Sequence, residues 1–233
     1  MPNTSLLAIA FMGQPTVEGR AYLRATTVHR RRLVVMSDFD NRAKTWDTQQ
    51  KLDRVKSIAA CMRDNVDFSD VQIALEYGCG TGLLSFELSD DLPRVVLADS
   101  SPGMLEVAKT KIAETGAAHF HTELLDLTTT PPAEQSYDLI YTLLTLHHIP
   151  DTQPILGAFH EMLNSGGTLV IVDLDAEDGS FHGPHIDVHH GFDRNAIKQM
   201  LLEVGFNRVN ITNCYQLTRE CRNYSLFLAS AEK

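Results

Sequence analysis

Two sets of residues in this chain have the types and spacing for chemistry. The first is ALEYGCGTGLLS, residues 74 to 85, where Gly78, Gly80 and Gly82 recur at every second position and Glu76 stands two residues before the first. Glycines so placed let a backbone turn sharply and come close beneath a ligand. A nucleotide, a dinucleotide, a phosphate, a sulfonium nucleoside, or a packed turn with no ligand are the alternatives. Two of these fit the spacing poorly. A dinucleotide loop reads G-x-G-x-x-G, whereas here the third glycine comes one residue early, and the G-K-[ST] of a phosphate loop does not follow. The second set is histidine: His147 and His148 in LHHIPD, then His182, His185, His189 and His190 with Asp187 in FHGPHIDVHHGFD. Imidazole accepts a proton near neutral pH, so either group suits a reaction that needs a base. His185, Asp187 and His189 alternate and could converge on zinc or iron, but histidines also cluster in solvated loops, and no metal is expected.

Placing these residues is the work of regular elements. From Trp46 to about Phe68, Leu52, Val55, Ile58, Ala59 and Met62 recur at helical spacing and predict an amphipathic helix. The chain then alternates. VQIALEYG, RVVLADS, HFHTELLD, YDLIYTLL and GTLVIVDL read as strands, with helix-like stretches over 81–92, 102–116 and 153–164. Such alternation predicts a parallel sheet with right-handed crossovers and helices on both faces. A further helix from Asp193 to about Val204 stops at Gly205. Beyond it FNRVNITNCYQL and NYSLFLASA, separated only by TRECR, predict an antiparallel hairpin at the end of the sheet. Ligands of an open α/β sheet sit outside the carboxyl ends of its strands. Both the glycine turn and the histidines fall at that end.

At 233 residues with 43% hydrophobic side chains, the chain is long enough for one substantial core and too short for two large domains. One domain is expected over 36–233, with a cap helix region at 36–70 and the core at 71–233. Residues 1–35 hold five arginines against one acid and end in HRRRLVV, after which MSDFDNRAKTWD reads like an ordinary protein start. They are expected to be a poorly ordered leader, and their composition also fits a mitochondrial transit peptide. The net charge of −10 disfavours nucleic acid as the main partner, since an acidic body repels a phosphate backbone. Cys61, Cys79, Cys214 and Cys221 form no C-x-x-C pair, which suits a reducing, cytoplasmic setting. No apolar run approaches the roughly 20 residues that a membrane span needs.

The run E-x-G-x-G-x-G, as Glu76, Gly78, Gly80 and Gly82, resembles the first motif of the class I S-adenosylmethionine-dependent methyltransferases. That cofactor has no pyrophosphate for a helix N-terminus to grip; backbone carbonyls and a nearby acid suit its amino end. The resemblance implies that Asp99, about 20 residues past the glycines at the end of RVVLAD, accepts hydrogen bonds from both ribose hydroxyls. It implies that Asp126, ending ELLD, accepts a bond from the adenine amino group with the Leu127 amide nearby. Ser100 stands where the family often has an apolar residue against adenine, and Met104 is the substitute; Thr142, on the fourth strand, completes the implied set. YDLIYTLLTLHHIPD and LNSGGTLVIVDL match the fourth and fifth strands, with Gly166 and Gly167 expected to make the turn between helix and strand, so the similarity covers residues 71–173 and is nearest the quinone-biosynthesis-like, small-molecule branch.

The implied fold is a Rossmann-like, doubly wound seven-stranded sheet, mostly parallel with an antiparallel C-terminal strand, plus an N-terminal helical cap. The implied activity is methyl transfer from S-adenosylmethionine to a small-molecule acceptor. That reaction is an in-line displacement, in which the protein mainly holds acceptor and methyl in line and excludes water; a base is needed only if the acceptor must lose a proton early. His147, His148, His185 and His189 are the acceptor-side candidates, with the loop over 181–193 as an acceptor lid. Metal-dependent members of this superfamily use a different, carboxylate-rich set. Phe39, Trp46 and Asp47 fall where the resembling enzymes carry a mobile cap over the cofactor. Two rival functions are methyl transfer to protein or transfer RNA, and a non-catalytic regulator that binds S-adenosylmethionine.

Overall fold

The computed structural model describes residues 39–132, 134–182 and 188–233, so the expected leader at 1–35 lies outside the described residues. Seven strands, β1 (Ala74–Tyr77), β2 (Val95–Asp99), β3 (Phe120–Leu124), β4 (Tyr137–Leu143), β5 (Leu163–Leu174), β6 (Asn207–Arg219) and β7 (Arg222–Glu232), form one sheet in the order β3-β2-β1-β4-β5-β7-β6. The pairs among β1 to β5 are parallel. β7 runs antiparallel between β5 and β6, which makes the expected hairpin and places it at the end of the sheet. Strand order reverses at β1: the chain passes outward from β1 to β2 and β3 on one side, then returns from β3 to β4 on the other. The crevice that binds ligands in doubly wound sheets lies at such a point.

Among the described residues, the helices α1 (Gln49–Asn65), α2 (Leu83–Glu87), α3 (Pro102–Thr115), α4 (Gln153–Met162) and α5 (Arg194–Val204) pack on the sheet. Because side chains alternate along a strand, each strand feeds both faces. Leu97, Leu139, Tyr141, Val170 and Val172 pack with Ile58 and Met62 of α1, Leu84 of α2 and Leu105 of α3. Leu75, Ile140, Leu169 and Ile171 pack on the other face with Leu156 and Phe159 of α4 and Ile197 and Leu201 of α5. The helix caps follow the local chemistry: Ser101 accepts from the Met104 amide ahead of Pro102, Asp193 accepts from Asn195 and Ala196, and Gly205 ends α5 with φ 115°. No helix among the described residues is long and apolar enough to cross a membrane.

Two elements differ from the sequence reading. The helix expected over 81–92 lasts only from Leu83 to Glu87, because Ser89, Asp90 and Asp91 favour turns and Pro93 follows; Leu88 and Leu92 are buried all the same. Gly166 and Gly167 lie within β5 rather than in a turn before it. There the Gly166 amide donates to the Lys233 carbonyl at 3.0 Å and Lys233 donates back to Gly167 at 2.9 Å, so β7 draws the segment into the ladder.

Candidate functional site

The glycine turn leaves β1 under the end of β2, where the amides of Gly78 and Cys79 donate to the Ala98 carbonyl at 2.8 and 3.0 Å. All three glycines have positive φ, which disfavours any side chain. Their surroundings differ. A Cβ on Gly78 would collide with the Thr145 side chain, and one on Gly82 would press on Leu97 and Phe86 at 3.2 and 3.3 Å. At Gly80 the nearest atoms would be Trp46 Nε1 at 3.7 Å and Met104 Sδ at 4.0 Å, an ordinary contact distance. Two of the glycines therefore serve packing, and Gly80 presents its backbone to a gap bounded by Trp46 and Met104.

Asp99 closes that gap from the β2 side. Its Oδ2 accepts from the Gly80 amide at 2.7 Å and its Oδ1 from the Ser101 amide at 2.8 Å. Burial raises its pKa, while these amide bonds work against the rise. Each carboxylate oxygen has two lone pairs, so these two bonds leave acceptor capacity on both.

The segment from Phe39 to Asp47 lies across the same place. Asp40 accepts from the Ser101 hydroxyl at 2.5 Å and from the Gly103 amide at 2.8 Å, in the first turn of α3. Asp47 accepts from the Thr81 hydroxyl at 2.5 Å and from Lys111 Nζ at 2.9 Å. Lys51 Nζ sits 3.1 Å from the Trp46 ring centroid, and burial, with Arg54 and Arg42 adding to it, lowers its pKa to about 8. Phe39 meets Trp46 edge-on at 5.7 Å and His148 at 5.4 Å. This segment thus spans from the glycine turn to the histidines.

Glu76 sits behind the turn. Its side chain is buried, and its Oε2 accepts from the Ser85 hydroxyl and from the Ser85 amide at 3.3 Å. The Tyr141 hydroxyl lies 2.5 Å from Ser85 Oγ, so with Glu76 ionised the donors run Tyr141 to Ser85 to Glu76. Burial raises the carboxyl to about 7, with the Ser85 bonds opposing. A folded-state pKa above the unfolded value of 4.5 means that the folded chain holds the proton more tightly; stability therefore falls as pH rises from about 4.5 through about 7. The shift corresponds to roughly 3 kcal/mol. Glu76→Gln is expected to remove that slope, so that wild type and variant differ most in urea midpoint above pH 7; parallel profiles across pH 5 to 8 would refute the assignment.

The remaining implied cofactor residues are placed as follows. Met104 is buried beside Gly80. Asp126 Oδ1 accepts from the Thr128 amide at 3.1 Å and hydroxyl at 2.8 Å, and the Leu127 amide donates to the Tyr77 hydroxyl at 3.2 Å. The Thr142 hydroxyl is buried without a partner among the described residues.

The histidines gather beyond β4 and β5. His147 Nδ1 lies 2.6 Å from Asp173 Oδ1, with both side chains fully buried, and Asp173 Oδ2 accepts from the amides of Leu146 at 3.0 Å and His147 at 3.4 Å. The other nitrogen of His147 faces His182 Nε2 at 2.9 Å. His148 packs on both rings, and its Nδ1 is buried without a partner. Burial, then the neighbouring His147 and His182, lowers His148 to about 2; burial, then His147 and Arg219, lowers His182 to about 4. Both are neutral at neutral pH. His189 lies apart from this group, with its amide on the His147 carbonyl at 2.8 Å and its Nε2 on the Ile149 carbonyl at 2.9 Å. His185 and Asp187 lie outside the described residues.

His182 is positioned from outside the loop. Arg219 donates to the Phe181 carbonyl at 2.6 Å, the Ser180 hydroxyl lies 2.9 Å from that of Tyr224, and the Phe181 ring stacks edge-on against Tyr224 at 5.0 Å. Among the contributors with no role in the sequence reading are Ser85, Asp40 and Asp173. Only Asp173 carries a signal, since an acid inside the apolar strand VIVDL demands a buried partner.

The methyltransferase domain family matches residues 74–167. The chain is 32% identical over 138 residues to a malonyl-[acyl-carrier protein] O-methyltransferase of Ilyobacter polytropus, covering 58% of this chain and 50% of the relative. It is 31% identical over 110 residues to a ubiquinone biosynthesis O-methyltransferase of Marinobacter nauticus, covering 46% of each. The chain spans about half the length of the curated relatives it matches. In fold it is similar to a SAM-dependent methyltransferase of Aquifex aeolicus, with a TM-score of 0.62 and 17% identity over 83% of this chain and 97% of the other.

Proposed function

We propose that this chain, whose residues 74–167 match a methyltransferase domain family, transfers a methyl group from S-adenosylmethionine to a small-molecule acceptor. The observation that carries the reading is the pairing of Gly80 with Asp99, 2.7 Å apart at the reversal point of the sheet, facing Trp46 and Met104. When bound, S-adenosylmethionine supplies an electrophilic methyl group on a sulfonium. Asp99 would take the ribose hydroxyls on its remaining lone pairs, Gly80 would allow the backbone to approach, and Trp46 and Met104 would supply apolar surface. The cap is tied to the core by side-chain bonds from Asp40 and Asp47, which can break and re-form as ligand enters and can exclude water afterwards. A small acceptor is supported by the ubiquinone biosynthesis O-methyltransferase relative and by the acidic charge of the chain, which disfavours nucleic acid.

The test is calorimetric titration with S-adenosylhomocysteine, followed by a screen of acceptors with labelled S-adenosylmethionine. Gly80→Val is expected to abolish measurable binding while leaving the far-ultraviolet spectrum of a folded protein, because the branched side chain fills the gap and β-branching is strained at φ 55°. Normal affinity in that variant would reduce the glycines to a packing role.

A further inference from the structure

Three imidazoles converge at the carboxyl end of β4 and β5. The ring centroids of His147 and His148 lie 4.1 Å apart, those of His147 and His182 4.9 Å, and those of His148 and His182 5.0 Å. One ring nitrogen from each falls within 4.8 Å of the other two. We propose that His147, His148 and His182 form a binding site for a divalent cation of zinc-like, nitrogen-preferring character, with Asp173 orienting His147.

Four features carry the assignment. Histidine is a good ligand for such ions, and three imidazoles with one position left for solvent or substrate form a recurrent zinc-binding arrangement. His147 donates from Nδ1 to the buried Asp173 carboxylate, which leaves Nε2 as the lone-pair nitrogen and supplies the carboxylate–histidine pairing that orients metal ligands. That Nε2 faces His182 Nε2 at 2.9 Å, a separation at which two lone pairs repel unless a hydrogen or a cation lies between them. Tetrahedral ligands about 2.0 to 2.1 Å from zinc stand about 3.3 Å apart, so His147 and His182 would need to part by a few tenths of an ångström, while the wider separations in the cluster, up to 4.8 Å, would close around the ion. Finally, His148 brings to the same cluster a buried ring nitrogen that has no hydrogen-bond partner among the described residues, a costly arrangement that a metal ion relieves.

The bland alternative is a hydrogen-bonded packing cluster. It accounts for His147 with Asp173, and for His182 on His147. It leaves the His148 nitrogen unexplained. The test of the site is independent of methyl transfer, since ion binding is measured without a methyl donor or acceptor. The site differs from the alternating set in the loop, and of the residues that hold it only His182 belongs to the loop after β5.

The experiment is titration of the full chain, stripped with chelator, with cobalt(II) and then zinc(II). One equivalent of cobalt is expected to give the visible bands of a tetrahedral ion, displaced by zinc. His182→Gln, at a partly exposed position, is expected to lose stoichiometric uptake at concentrations that saturate the wild type, with an unchanged far-ultraviolet spectrum. Asp173→Asn keeps the shape of the orienting residue and is expected to weaken binding by about 10- to 100-fold. Absence of tetrahedral bands in the wild type, or undiminished uptake by folded His182→Gln, would overturn the proposal.

Discussion

Asp173→Ala is expected to destabilise the folded chain by about 3–5 kcal/mol, because several buried donors lose their acceptor at once, at about 1–3 kcal/mol each. The reason is the number of donors that this one carboxylate satisfies. It accepts from the His147 ring at 2.6 Å, from the amides of Leu146 and His147 at 3.0 and 3.4 Å, and from the Leu174 amide at 2.8 Å. Deleting it strands these donors where water does not reach, at about 1–3 kcal/mol for each poorly satisfied group. Asp173→Asn retains one oxygen and the volume, but turns an amide toward donors, and is expected to fall between the two. Urea denaturation followed by circular dichroism measures this directly. A loss below about 1 kcal/mol in the alanine variant would mean that the dyad contributes little to the fold.

Asp99→Ala is expected to weaken S-adenosylhomocysteine binding by about 10- to 150-fold, which corresponds to a charge-assisted contact of roughly 1.5 to 3 kcal/mol. The effect has two parts. The ribose hydroxyls lose their acceptor, and the Gly80 amide loses the carboxylate that holds the turn at 2.7 Å. Asp99→Asn separates them, since its side-chain oxygen can still accept from Gly80 while the charge is gone. Calorimetry on the three proteins gives the comparison, and undiminished binding by Asp99→Ala would remove this aspartate from the ligand site. The methyltransferase domain match over residues 74–167 would stand in that case, and the binding geometry would need another anchor.

The alternation of apolar strands and amphipathic helices, read along the chain, determined the sheet and both of its faces, because burial on a strand repeats every second residue and on a helix every third or fourth. TRECR determined that the last two strands pair as a hairpin, since five residues cannot make a crossover. The glycine spacing and Asp99 were readable for the same local reason: the turn after β1 and the end of β2 are each set within a few residues. Where short-range rules competed, the reading slipped. Leu88 and Leu92 kept a helical rhythm that the Ser-Asp-Asp-Pro chemistry around them broke.

The histidine site belongs to the tertiary structure. His147 and Asp173 are 26 positions apart and meet because β4 and β5 pair with Leu143 opposite Val172, a register that one residue of slip would destroy. His182 lies 35 positions from His147 and reaches it only because Arg219 and Tyr224, on a hairpin formed later in the chain, hold Phe181 and Ser180. By itself, then, the sequence determined that the glycine turn and the histidines fall at the same end of the sheet, through periodicity and local backbone needs. Only the folded chain decided which histidines meet, which carboxylate orients them and that Glu76 lies behind the glycine turn, because those contacts depend on strand register and on packing between segments that have no local rule in common.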